Sequence, residues 1–153
     1  MEKIESYRDL KAWQKGMVLA EEAYKLAKLL PRIEEYRLTS QLLRAAASVP
    51  ANIAEGHARG TRRDYANFIS IARGSLAETG TFLLLAVRAK LLSGQQVAPA
   101  LKLTSELGRM LHVLRQRLLT CPLNPHPYNL LCGRNCQALL SAFLSFLSPS
   151  PHL

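Results

Sequence analysis

Residues 61–86 read TRRDYANFISIARGSLAETGTFLLLA. Within them Tyr65, Phe68, Ala72, Ser75, Thr79, Phe82 and Ala86 recur at spacings of three and four, flanked by Ile69, Leu76 and Leu83. Spacing of this kind places side chains on one face of an α-helix. Thr61, with Asp64 three residues on, has the form of a capped helix start, and Ser93-Gly94 is the expected end. Gly74, Ser75 and Gly80 are small residues inside this helix. Each glycine there costs about 1 kcal/mol against alanine, so close packing against a neighbouring helix is the expected offset.

The same period extends outward on both sides. Leu38, Leu42, Ala45, Val49 and Ile53 define a face between about Ile33 and Gly56, with Gly56 as its natural stop. Pro50 lies inside it, and proline removes a backbone donor and crowds the preceding turn; a kink, or a restart capped by Ser48, is expected. Before it, Ser6 and Asp9 open a segment whose stripe runs Leu10, Trp13, Met17, Ala20, Tyr24, Ala27 and ends at Pro31. After it, Val97, Leu101, Thr104, Leu107, Leu111, Leu114 and Leu118 form a fourth. No stretch alternates with a period of two. The expected fold is all-α, an antiparallel up-down-up-down four-helix bundle.

The chain has 153 residues, 48% of them hydrophobic, and a formal net charge of +9. All 11 acids and 19 of the 20 basic residues fall in residues 1–119, which leaves +8 there and Arg134 as the last charge. Residues 120–153 open on Pro122, Pro125 and Pro127 and continue to an apolar run over 138–147, so they read as a separate, nearly uncharged tail. The N-terminal residues lack the apolar run of a signal peptide, and no stretch reaches the ~20 apolar residues of a membrane span. Cys121, Cys132 and Cys136 are odd in number, which argues against a disulfide framework and for a reducing, cytoplasmic setting. With His126 they could be counted as zinc ligands, but their spacing is irregular; no metal and no cofactor is expected.

Residues 43–56, LRAAASVPANIAEG, carry more than periodicity. They resemble the signature R-A-x-x-S-[IV]-P-x-N-I-A-E-G of the four-helix-bundle family encoded in 23S ribosomal RNA intervening sequences. Further similarities lie at Asp9-Leu10 with Trp13-Gln14, at Tyr65, Phe68, Ile71-Ala72, Gly74-Ser75 and Glu78, and at Arg109-Met110-Leu111. The resemblance implies an antiparallel bundle that assembles into a homo-oligomer, a pentameric ring. It also implies a distant kinship with the accessory variability determinant of diversity-generating retroelements, a basic protein that binds nucleic acid and associates with a reverse transcriptase. No catalytic activity comes with it, and the Pro-rich tail departs from the family pattern.

Two basic groups are candidates for phosphate contacts. Arg59, Arg62 and Arg63, with His57, cluster between the second and third segments, where a helix start adds backbone donors. Lys102, Arg109 and Arg115, with Ser105 and His112, lie off the leucine seam of the fourth segment, and Arg88 and Lys90 could extend that stripe. The bland reading of both is a solvated surface, but +8 over 119 residues exceeds what solubility needs. Arg44, Asn52, Glu55 and Glu78 could be taken for an active site; as structural groups, Arg44 would pair with Glu78 or Glu55, and Asn52 would bond carbonyls freed by Pro50. Gly-rich phosphate loops, nucleophile elbows and zinc-protease motifs are absent. Trp13, Tyr24, Tyr65, Phe68 and Phe82 sit on seams, as core residues rather than stacking platforms. The expectation is a non-enzymatic homo-oligomer that binds RNA or DNA electrostatically, with no membrane role. The alternative is an adaptor that docks a protein such as a polymerase.

Overall fold

The computed structural model describes residues 5–120, and every regular element in them is helical. Four long helices follow one another: α1 over Lys11–Ala27, α2 over Ser40–Ala58, α3 over Arg62–Arg88 and α4 over Gly94–Thr120. A 3-10 turn, Tyr7–Asp9, precedes α1; a second, Arg32–Glu34, and a π-turn, Glu35–Thr39, lead into α2. The tail residues 121–153, with the cysteines and the apolar run, lie outside the described residues.

The helices bury one another's apolar stripes. Leu19, Leu42, Val49, Ile53, Ile69, Leu83, Val97, Leu107 and Leu111 are shielded almost completely. Each such side chain contributes about 1.5–3 kcal/mol on burial. Against that sum, the ~3 kcal/mol cost of a proline in a helix interior is affordable, and α2 runs unbroken through Pro50. The expected restart does not occur, and Ser48 caps nothing. Its hydroxyl instead meets that of Ser75 on α3 at 2.9 Å and accepts from Asn52 Nδ2, also at 2.9 Å.

α1 meets α2 where a Cβ on Gly16 would stand 3.3 Å from Pro50 Cβ. It meets α4 through Lys15 Nζ and Glu106, 2.6 Å apart. α2 and α3 touch at Ser48–Ser75 and at Arg44–Glu78, the latter 3.0 Å. α3 and α4 touch where Arg62 donates to the Arg117 carbonyl at 2.7 Å and Arg115 Nε donates to Ser70 Oγ at 2.6 Å.

Several boundaries differ from the sequence expectation. Gly56 does not stop α2, which continues to Ala58. Gly56 is the point of closest approach to α3: a Cβ there would lie 2.7 Å from both Phe68 Cβ and Tyr65 Cδ2. Gly74 and Gly80 do not provide close packing within the chain, since a Cβ on either meets nothing within 4 Å. Ser93 belongs to the next helix rather than the previous one; its Oγ accepts from Gln96 N while Gln96 Oε1 accepts from Ser93 N, a reciprocal cap on α4. Thr61 behaves as expected, accepting from Asp64 N at 3.1 Å. The Ser6–Asp9 capping box also forms, on the 3-10 turn before α1.

The α1 stripe is displaced. Its buried residues are Ala12, Gly16, Leu19, Ala20, Ala23 and Leu26. Met17 and Tyr24, expected in the core, are 38% and 55% exposed, and Trp13 is half-buried. Finally, α3 is long and apolar enough by length and composition to cross a membrane, which the composition reading overlooked. It also buries Ser75 and Thr79 against its neighbours, with the Thr79 hydroxyl donating to the Ser75 carbonyl at 2.8 Å.

Candidate nucleic-acid interface

The basic loop leaves α2 and enters α3 within four residues, so its side chains are held by the first turns of α3. Arg59 is tied on two sides: its guanidinium pairs with Glu55, one turn back on α2, and its Cζ lies 4.8 Å from the centre of the Phe68 ring. Arg62 reaches across to the last turn of α4, donating to the Arg117 carbonyl. Arg63 is exposed and forms no ion pair with the described residues. Asp64, the acid of this turn, is engaged by the Thr61 hydroxyl at 2.6 Å.

The fourth-helix stripe divides in two. Arg115 turns toward α3, part-buried against Ser70 in the third turn of that helix. Arg117 supplies its backbone carbonyl to Arg62, and its exposed side chain lies two residues after Arg115 at the same helix end. Lys102 and Arg109 are exposed elsewhere along α4. Lys102 is separated from Arg115 by 13 positions, about 20 Å of helix. Between them stands Glu106, whose carboxyl is held below the usual range first by the hydrogen bond from Lys15, then by that ammonium's charge, with Lys102 and Arg109 adding to it. That stretch of α4 is therefore a mixed-charge surface rather than a basic stripe.

Around the loop, partial burial of His57 pushes its pKa below the ordinary 6.5, with the Asp9 carboxylate opposing the shift. The His57 ring meets Tyr65 edge-on, centroids 6.0 Å apart. Burial raises Tyr65 to about 12, and its hydroxyl has no hydrogen-bond partner among the described residues. Both belong to the packing beneath the arginines.

Arg44, Glu55 and Glu78 do not converge. Arg44 pairs with Glu78 and with Gln41 Oε1 at the surface, while Glu55 is taken by Arg59. Asn52 donates to the Ser48 carbonyl at 2.8 Å, which is not the carbonyl left free by Pro50, namely that of Ala46 four residues before it. These are separate structural contacts: the ion pairs lie at the surface, while Asn52 and Ser48 lie part-buried between α2 and α3. Among the described residues no three His, Cys, Asp or Glu side chains gather to hold a metal ion.

Residues 8–113 match the family described as 23S rRNA-intervening sequence protein. A solved structure from Bacteroides thetaiotaomicron, described as a protein with unknown function from the S23 ribosomal protein family, is similar at 25% identity and a TM-score of 0.65. The likeness covers 69% of this chain and 98% of that one. No curated protein matches the chain.

Proposed function

The chain belongs to the 23S rRNA-intervening sequence protein family, and we propose that it is a non-enzymatic, cytoplasmic homo-oligomer that binds RNA or DNA through phosphate contacts. The observation that carries this reading is the clustering of Arg59, Arg62 and Arg63 at the start of α3, where Arg62 bonds the end of α4 and Arg115 of α4 bonds Ser70. The N-terminus of the 27-residue α3 adds the positive end of a helix dipole to the same region. Among the described residues Glu55, Asp64 and, beside His57, Asp9 counter these charges locally; Glu55 is engaged by Arg59 and Asp64 by Thr61. The proposed topology is an antiparallel up-down-up-down bundle, supported by contacts that run in opposite senses: Arg44 with Glu78 and Gly56 with Tyr65, then Arg62 with Arg117 and Leu76 with Gly108. A pentamer is the assembly that the family resemblance implies, and it would repeat the arginine cluster around a ring, where avidity multiplies weak single contacts.

The test is fluorescence anisotropy of labelled single-stranded RNA and duplex DNA against the full chain at two salt concentrations. Neutralising about four phosphates of a single strand predicts a loss of roughly fifty-fold in affinity between about 50 and 200 mM salt. Absence of binding at low salt, or binding indifferent to salt, would overturn the reading.

One observation favours the adaptor as a second reading. Ile33 and Tyr36, on the connection between α1 and α2, are 71% and 87% exposed. Apolar side chains so open at one loop suit a protein contact, which would depend little on salt.

A further inference from the structure

α1 carries more apolar surface than the described residues cover. Met17, Glu21 and Tyr24 share one stripe at spacings of four and three, all exposed, beside the face that buries Gly16, Leu19 and Ala23. Elsewhere on the same chain, α3 and α4 leave a shallow groove of about 400 Å³ between them. Small residues line it: Ala77 and Gly80 from α3, Ser105 and Gly108 from α4, with Arg73 on its rim. Its floor is the Leu76 side chain, 3.8 Å from where a Gly108 Cβ would stand. The glycines that fail to bring helices together within the chain thus leave space outside it.

The two surfaces match in shape and in charge. Met17 and Tyr24 are bulky and exposed; the groove is lined mostly by small side chains, with Arg73, Thr104 and Ser105 as its polar members. Glu21 lies between Met17 and Tyr24 and forms no ion pair with the described residues, and neither does Arg73. In a chain of net charge +9, the exposed Glu21 carboxylate, with Lys25 close enough to feel its charge, is an acidic point on α1 that an arginine of a like-charged copy can approach. We infer that a second copy of this chain seats its Met17–Glu21–Tyr24 stripe in the α3/α4 groove, with Glu21 facing Arg73. The inference rests on the homo-oligomer reading above and names the surfaces that make it. Stripe and groove are unlike, so the contact is heterologous, and each copy keeps one free stripe and one free groove for the next, around a ring or along a filament.

Light scattering of the full chain over a range of concentrations tests this, with thermal unfolding as a check on the fold. Gly80→Leu fills the groove at a position where a Cβ meets nothing within 4 Å. It is expected to leave the fold intact and reduce the assembly to the 17.0 kDa monomer. Glu21→Arg and Arg73→Glu should each weaken association roughly tenfold or more, and the double variant should recover it. A wild-type chain that stays monomeric overturns the homo-oligomer reading and this inference with it. A wild-type oligomer that survives Gly80→Leu and both charge reversals overturns this inference alone. If the single reversals weaken association and the double variant does not recover it, the pairing of Glu21 with Arg73 is overturned.

Discussion

At Gly56 the main chain of α2 comes so close to α3 that no side chain fits between them. A methyl group would sit 2.7 Å from carbons of Tyr65 and Phe68, and both are aromatic side chains anchored by their own packing. Gly56→Ala should therefore cost roughly 1–3 kcal/mol, read as a lower urea midpoint, even though alanine is the better helix former. An unchanged midpoint would mean that the two aromatics move aside freely. His57, the next residue, gives a pH prediction. Because partial burial lowers its pKa in the folded chain, protonation is harder there than in the unfolded chain. The associated stability is complete above the ordinary imidazole value of about 6.5 and is lost as pH falls from there through the lower folded value. Comparing urea midpoints near pH 7.5 and 5.5, the wild type should lose more stability over that interval than His57→Gln. Equal losses would show that His57 contributes nothing to the acid response.

The turn between α3 and α4 is formed without glycine. Lys90 takes φ 57°, in the left-handed region, while Leu91 N donates to the Ala86 carbonyl and Lys90 N to that of Val87. Those two bonds are the Schellman closure of a helix end, in which the left-handed residue is usually glycine. A lysine there carries a steric penalty of about 1 kcal/mol, so Lys90→Gly should raise stability by that order, measured as an upward shift of the thermal midpoint. A fall would mean that the lysine side chain supplies more than its backbone costs. How legible each element was depends on which side chains form its core face. The α2 and α3 seams could be read from spacing because large residues such as Leu42, Ile53, Ile69 and Leu83 mark them. In α1 the buried face carries only Leu19 and Leu26 as large residues among Ala12, Gly16, Ala20 and Ala23, with Gly16 set against Pro50, and Trp13, Met17 and Tyr24 beside it form the more conspicuous stripe. Its own periodicity held no information about that approach. Pro50 misled in the same way, since the burial that stabilises an unbroken α2 comes from other helices.

For the molecule as a whole, the loop arginines were visible in the sequence as a local cluster, whereas their union with the end of α4 was not. Arg62 and Arg117 are 55 positions apart and meet only through tertiary packing. Arg115 departs from the expected α4 stripe because 13 residues after Lys102 is about 220° around the helix, which turns it toward Ser70 of α3. This arrangement separates two kinds of arginine, and their substitutions should behave differently. Arg63 is exposed without an ion pair to the described residues, so Arg63→Ala should leave the thermal midpoint unchanged. If Arg63 neutralises a phosphate, the slope of log affinity against log salt for single-stranded RNA should fall by about 0.7. Arg62 spans the α3/α4 junction, so Arg62→Ala should lower the thermal midpoint as well as weaken binding, through a lost charge-assisted bond worth about 1.5–3 kcal/mol. Lys102→Ala, about 20 Å along α4 from Arg115, should change neither the slope nor the midpoint. Should Lys102→Ala reduce the slope while Arg63→Ala does not, the nucleic acid would lie along the mixed-charge face of α4. The arginines at the start of α3 would then hold the chain together rather than hold its ligand.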